Sequence, residues 1–315
     1  MDSAEAQPPV GDPLTQVPPG HRSGFVGIVG KPNVGKSTIL NAFLKTKVAI
    51  TSSKPQTTRT RILGILTRPD AQVVFVDSPG WHQPIDPLGR YMMASARQAA
   101  EEADVLVVVI DPHSGIRQED RWVFDYVRKT RAARLLAINK ADAVKKEKML
   151  PLIEQAARLG VFEEIIPISA VAGDNMDVLL GQVIKRLPEG PRWYEPDRTT
   201  DQTTGQYVRE VIREEILKAT RQEVPHAVAV LLDDMTPKDD GVTVIRATIL
   251  VEREGQKGIL IGKGGLMLKR IGQDARLQLE QYLGQRVFLE LWVKVAEGWR
   301  DNQSLLRELG YGETA

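Results

Sequence analysis

Between positions 25 and 168 the chain repeats one arrangement: a short apolar run, a polar break, then a stretch whose apolar side chains recur every three to four residues. The runs 25–29, 73–76, 105–110, 134–138 and 165–168 predict buried strands, and 38–44, 88–102 and 174–186 predict amphipathic helices. This alternation specifies a doubly wound α/β domain whose ligand loops gather at one edge of the sheet. Runs 62–67 and 72–76, joined by Arg68-Pro69-Asp70, read as a hairpin, which makes one strand antiparallel and the sheet mixed.

The periodicity stops at Pro188-Glu189-Gly190-Pro191, and Pro196 with the polar residues 197–205 prolongs the break. The chain therefore divides into a first domain, 23–190, a linker, 191–205, and a second domain, 206–315. The second reads as helix 206–220, strand 227–232, turn 239–241, strand 242–252, two helices around a glycine loop, and strand 286–295. A last helix, 298–309, either caps this domain or extends its ligand surface. Residues 1–22, rich in proline and without a basic start and apolar centre, read as a disordered tail rather than a secretory signal.

Composition narrows the function classes. The 315 residues are 42% hydrophobic, enough for two domains with real cores. With 0 Cys and 4 His (His21, His82, His113 and His226) far apart, neither a disulfide framework nor a zinc cluster can be built, and a reducing compartment suits the chain. The longest aliphatic stretch, 105–110, is too short to span a bilayer.

Candidate chemistry follows the strand-like runs. After 25–29 comes Gly30-Lys31-Pro32-Asn33-Val34-Gly35-Lys36-Ser37, with Thr38 opening the next helix, the pattern of a phosphate-binding loop. Its amides and the helix N-terminus would face a polyphosphate, Lys36 would reach the outer phosphates, and the Ser37 hydroxyl would meet Mg²⁺. Asp77-Ser78-Pro79-Gly80 closes another run, so Asp77 suits a Mg²⁺-bound water and Gly80 lets its N–H approach a γ-phosphate. Asn139-Lys140-Ala141-Asp142 selects the base. Asp142 can accept from guanine's ring N–H and exocyclic amine, whereas adenine presents a lone pair at that ring position. Asn139 would tie the loop together, the Lys140 stem would cover the ring, and Ser169-Ala170 would complete the pocket with the Ala170 N–H toward the guanine carbonyl oxygen.

Four such loops in one order, each after an apolar run, resemble the translation-factor-related P-loop GTPases. Within that class, 30–37 together with Gln56-Thr57-Thr58-Arg59 look like the Era family. The second domain adds Gly262-Lys263-Gly264-Gly265 between Gly258-Ile259-Leu260-Ile261 and a helix carrying Lys269 and Arg270, which resembles a smaller α+β, type 2 KH domain. Glycines there would let the backbone hug a single-stranded RNA while Lys263 adds charge. The family resemblance covers nearly everything from Ser23 onward. It implies a monomer that binds GTP or GDP with Mg²⁺, holds the 3′ end of small-subunit rRNA, and assists small ribosomal subunit maturation. It also implies a cytoplasmic place with peripheral contact at the inner face of the cell membrane.

Charge limits how RNA is held. Residues 253–276 carry six basic and two acidic side chains, yet 206–315 carry sixteen basic and seventeen acidic, and the whole chain is only +1. Recognition should therefore be local and base-dependent, with a modest salt slope. Trp292, Trp299, Tyr282 and Tyr311 are read as core rather than as stacking platforms.

Residues 45–61 contain five basic and no acidic side chains, the make-up of a switch. Thr58, with Thr57 as the neighbouring alternative, would meet Mg²⁺ and the γ-phosphate. Trp81 stands after Gly80 where many GTPases use a water-orienting glutamine, so slow intrinsic hydrolysis is expected. Asn33 matches the position at which related cation-dependent GTPases hold K⁺. The catalytic set is thus Asn33, Lys36, Thr58 and Gly80. Two other classes compete: a signalling switch whose second domain binds protein or a membrane surface, and a kinase or ATPase, against which 139–142 argue.

Overall fold

The computed structural model describes residues 12–312 apart from positions 55, 222 and 240, with the backbone alone at 146. In chain order the first domain comprises β1 (Arg22–Val29), α1 (Lys36–Leu44), β2 (Ile62–Thr67), β3 (Ala71–Asp77), α2 (Pro87–Glu101), β4 (Val105–Ile110), α3 (Gln118–Val127), β5 (Ala133–Ile138), α4 (Lys146–Ala157), β6 (Glu164–Pro167) and α5 (Met176–Arg186). These strands form one sheet in the order β2-β3-β1-β4-β5-β6, with only β2 antiparallel. Because helices cover both faces, β3 and β4 are buried at every position and carry runs of Val and Ile rather than an alternating pattern. Strand order reverses direction at β1, so the loops after β1, β3, β5 and β6 open on one crevice.

The second domain comprises α6 (Thr204–Ala219), α7 (Val224–Ala227), β7 (Ala229–Pro237), β8 (Val242–Val251), α8 (Glu254–Ile261), α9 (Leu266–Leu283), β9 (Arg286–Val295) and α10 (Gln303–Glu308). Its sheet runs β7-β8-β9, with β8 and β9 parallel, and α6 and α9 pack on one face. A box between Thr203 and Gln206 starts α6, and Gly284, at φ 66°, stops α9.

Several boundaries differ from expectation. Of the tail, residues 1–11 lie outside the described residues, but Asp12–Gln16 form turns, and Arg192 reaches the carbonyls of Pro13, Leu14 and Gln16. His21 is buried, with Nδ1 2.8 Å from Gly190 O. The linker is a strap rather than a free tether: Gln72 Oε1 accepts from the amides of Trp193 and Tyr194, and Thr200 bonds Leu63 O at 2.8 Å. The expected last helix is split, because Asn302 caps α10 after a single turn at Trp299–Asp301. Trp299 and Tyr311 are buried as expected, whereas Trp292 and Tyr282 are 48% and 42% exposed. Tyr282 stacks on the buried Tyr207 at 3.9 Å at the edge of the second domain's core, and Trp292 points off the outer face of β9.

The two domains share an apolar cluster. Leu88 and Met92 of α2 pack with Ala229, Leu250, Trp299, Leu306, Leu309 and Tyr311, and Arg300 bridges Asp86, the N-cap of α2, to Glu252.

Candidate functional site

The loop after β1 folds around its own lysine. Lys36 Nζ, buried at the start of α1, donates to Gly30 O (3.2 Å) and Lys31 O (3.1 Å). Burial pulls its pKa from 10.5 down to about 8, against the opposing pull of Asp77. Gly35, at φ 98°, leaves no room for a side chain, since a Cβ would lie 2.2 Å from Asn139 Nδ2. Lys31 turns its ammonium away to Ser114 (2.8 Å) and Asp120 (2.9 Å), and Val34 is buried in the core, so both serve the site through backbone only. Pro32 packs against Gly80, where a Cβ would come within 2.7 Å of Pro32 Cα.

Three oxygen donors converge beside Lys36. Ser37 Oγ is 2.6 Å from Asp77 Oδ2 and 2.9 Å from Thr58 Oγ1, and Thr58 Oγ1 is 3.3 Å from the same Asp77 oxygen. Asp77 is completely buried, and its Oδ1 has no hydrogen-bond partner among the described residues. Burial raises its pKa, opposed by Lys36, Ser37 and Thr58. A buried, half-satisfied carboxylate with two hydroxyls is a hard-oxygen set that fits Mg²⁺. The structure also separates the adjacent threonines: Thr57 Oγ1 donates to Lys54 O, while Thr58 faces the cleft. Ser78 instead serves the fold, bonding Ile28 O at 3.0 Å, and Pro79 is buried beside it. Thr38 lines the same cleft as Ser37 and Thr58.

The base loops are laced to the phosphate loop. Asn139 donates from Nδ2 to Val34 O (2.8 Å), and its Oδ1 accepts from the Ala170 N–H (3.1 Å). The Ala170 amide is thus directed at Asn139, not left open for a base, because one side chain staples three loops. Lys140, in the left-handed region at φ 65°, anchors its ammonium on Asn33 O and Asp111. Ser169 Oγ accepts from the Ala172 amide. Asp142 sits exposed in a single turn with no hydrogen bond among the described residues, so its carboxylate is free for a ligand. Asn33, at φ 64°, donates to Ser53 O of the switch segment.

In the second domain Gly262, Gly264 and Gly265 all have positive φ (70°, 60° and 78°), and Lys263, Lys269 and Arg270 are exposed around them. Beside this loop a groove of about 390 Å³ lies between α9 and β9, lined by Gly265, Leu268, Lys269, Gln273, Arg276 and Phe288 among others. Gln273, Arg276 and Phe288 are site candidates that motif reading missed; the apolar Phe288 on a strand position exposed to solvent (53%) was the available signal.

Two family models match this arrangement, one described as a 50S ribosome-binding GTPase over residues 25–140 and one as a KH domain over residues 223–300. The chain is 44% identical to the GTPase Era of Thermoanaerobacter sp. (strain X514) over 293 residues, covering 93% of this chain and 97% of that protein. It belongs to the Era family of GTPases. Identity to the Era of Caldanaerobacter subterraneus subsp. tengcongensis is 46% over 92% of this chain and 98% of the relative. A crystal structure of Era in complex with MgGDPNP and nucleotides 1506-1542 of 16S ribosomal RNA superposes with a TM-score of 0.91 at 42% identity. A variant of Aquifex aeolicus Era bound to GDP and AlF4⁻ superposes at 0.90 and 41% identity. Both superpositions cover 93% of this chain and 100% of the other. The fold is thus that of the Era family, a P-loop GTPase domain with a mixed sheet followed by a KH domain.

Membership makes the exceptions to the expected site informative. The segment read as a switch is held by the second domain, through Lys47, Thr51, Thr57 and Arg59. None of the second-domain partners, Arg213, Glu214, Trp299 and Tyr311, carried a motif signal. Among the described residues no helix is long and apolar enough to cross a membrane.

Proposed function

We propose that this chain hydrolyses GTP as a molecular switch and, through its second domain, binds single-stranded RNA at the 3′ end of the small-subunit rRNA, assisting small-subunit maturation. The convergence of Ser37, Thr58 and Asp77 beside Lys36 carries the nucleotide half of this reading. Ser37 and Thr58 would hold Mg²⁺ directly and Asp77 through water. When bound, that ion would neutralise charge building on the outer phosphates. Lys36 supplies a second positive charge at the same place, and the Gly80 N–H orients a terminal phosphate. Asp142 reads guanine, with Asn139 and Lys140 fixing the pocket around it.

Trp81 is buried, and its amide donates to Gly30 O at 3.0 Å, so the indole has no path to an attacking water. Intrinsic hydrolysis is therefore slow. Asn33, at the mouth between the phosphate loop and Ser53, is placed to admit K⁺ as an added charge. Phosphate release measured in KCl and NaCl tests this: K⁺ should accelerate hydrolysis in the native chain and not in Asn33→Ala. Equal rates in both salts, unchanged by the substitution, would remove K⁺ from the mechanism.

The RNA half rests on the positive-φ glycine loop beside the α9–β9 groove, and on the relative crystallised with 16S rRNA. Lys263→Asp with Gly264→Asp should abolish RNA affinity while hydrolysis without RNA persists. Crosslinking to cellular RNA and sequencing the trapped fragments identifies the target; recovery of no small-subunit fragment overturns this half. Contact with the inner membrane face is tested by vesicle co-sedimentation, and no binding to anionic vesicles would remove it from this reading.

A further inference from the structure

Long-range polar contacts from the second domain meet on the switch segment. Arg213 of α6, fully buried, donates to Thr57 O and, at 3.4 Å, to Gln56 O, while Glu210 grips its other face at 2.9 and 2.5 Å. The next α6 residue, Glu214, accepts from the Thr51 amide at 3.0 Å and pairs with Lys47. On the far side of Thr58, Arg59 is buried in the second domain, donating to Val228 O (2.7 Å) and, at 3.4 Å, to Pro225 O and His226 O. The rings of Trp299 and Tyr311 lie 5.7 and 5.8 Å from its guanidinium carbon.

Thr58 is the one residue between these anchors. The peptide joining Thr57 to Thr58 is a rigid trans plane, so its C=O and N–H point in opposite directions. Holding Thr57 O toward α6 turns the Thr58 N–H away from the second domain. That N–H has no partner among the described residues, and the Thr58 hydroxyl already faces Ser37 and Asp77.

We infer that Arg213 is a positioning residue of the GTPase site: by gripping Thr57 O it presents the Thr58 N–H and hydroxyl to a terminal phosphate, so the RNA-binding domain builds part of the discrimination between tri- and diphosphate. The inference rests on the role given to Thr58 above. A diphosphate offers the Thr58 N–H no terminal phosphate to contact, so loss of the grip weakens triphosphate binding selectively.

A double-mutant cycle on the full chain tests it. Affinities for GDP and for a fluorescent non-hydrolysable GTP analogue are measured with Mg²⁺ for the native chain, Arg213→Met, Thr58→Ala and the double variant. Thr58→Ala, which removes the hydroxyl but keeps the N–H, should lower the triphosphate-to-diphosphate ratio about tenfold. Arg213→Met, which misplaces both the hydroxyl and the N–H, should lower the ratio at least as far with GDP affinity unchanged, and the double variant should fall no further than Arg213→Met alone. Arg213→Lys, which keeps one donor for Thr57 O, should recover part of the ratio. If Thr58→Ala leaves the ratio intact, the reading of Thr58 fails. If Thr58→Ala lowers it but Arg213→Met does not, or the two losses add, the positioning role fails. Should Arg213→Met not fold, Glu210→Ala, which removes the carboxylate that holds the Arg213 guanidinium, should lower the ratio in the same direction, and an unchanged ratio there overturns the inference.

Discussion

Lys36 offers a pH-dependent test whose sign follows from its burial. In the ligand-free chain its ammonium is satisfied only by two carbonyls, and its pKa lies at about 8 instead of 10.5. A bound polyphosphate favours the charged form, so binding above pH 8 takes up a proton. With only the ammonium form competent, the available fraction falls from roughly 0.9 at pH 7 to roughly 0.1 at pH 9, a tenfold loss of affinity or about 1.4 kcal/mol. Uptake should approach about 0.9 proton per nucleotide at pH 9. GDP binding without divalent metal isolates this effect from Asp77. Titration calorimetry in two buffers of different ionisation enthalpy counts the protons directly. Lys36→Met should bind weakly with no slope. Stability should move the opposite way. Between pH 8 and 10.5 the folded chain holds fewer protons than the unfolded one, so the ligand-free protein gains up to about 3 kcal/mol as pH rises through that window. Flat GDP affinity from pH 7 to 9, or no proton uptake at pH 9, would refute the assignment of Lys36 as a desolvated phosphate ligand.

Other substitutions separate the two halves of the molecule. Gly262→Ala forces φ 70°, ψ 176° on a residue with a side chain and sets its Cβ 2.7 Å from Met267 Cβ, costing about 1–3 kcal/mol locally; fluorescence anisotropy should show a more than tenfold loss of RNA affinity with hydrolysis unchanged. Gly80→Ala places a Cβ 2.7 Å from the Pro32 backbone, so the phosphate loop must shift, and nucleotide affinity should drop at least about tenfold while RNA binding without nucleotide persists. Asp142→Asn removes two charge-assisted bonds to guanine, about 1.5–3 kcal/mol each, and competition binding should show GTP weakened about a hundredfold or more and xanthine nucleotides preferred.

What could be read from sequence was local. Asn139 and Asp77 each follow an apolar run, so a strand end places them at the crevice without knowledge of the rest. Thr57 and Thr58 could not be told apart, since the choice depends on which way one peptide plane faces, and Arg213 sets that from 156 residues away. Arg213-Glu214-Glu215 look like the solvated face of an amphipathic helix. In fact all three are buried, because α6 lies between its own sheet and the switch segment. The place of Arg59 was hidden for the same reason: nothing in a polar loop announces that its charge is satisfied by three carbonyls and two rings from the other domain. Tyr282 and Trp292 erred in reverse, because strand and helix spacing says which residues share a face but not whether that face is covered.

The two segments that read the terminal phosphate are held by different bodies, and this decides which of them can respond. Residues 77–82 are fixed by the first domain: Asp77 and Ser78 are buried, Gly80 abuts Pro32, Trp81 donates to Gly30 O and stacks edge-on to Tyr126 at 4.7 Å. Displacing them would open the core around Val29 and Met93. Residues 48–49 are anchored in the first domain, by Asn41 and by their own burial in its core, whereas among the described residues the first domain's polar contacts with 51–59 are those of Asn33 and the Thr58 hydroxyl, and Thr51, Thr57 and Arg59 are held by α6 and the Arg59 pocket. On the roles proposed for Thr58 and Arg213, a change in the terminal phosphate would pass from Thr58 through Thr57 O to α6, which packs directly on α9, the helix that lines the proposed RNA groove. By linkage the coupling runs both ways, so RNA seated against α9 must alter triphosphate affinity by the factor with which triphosphate alters RNA affinity.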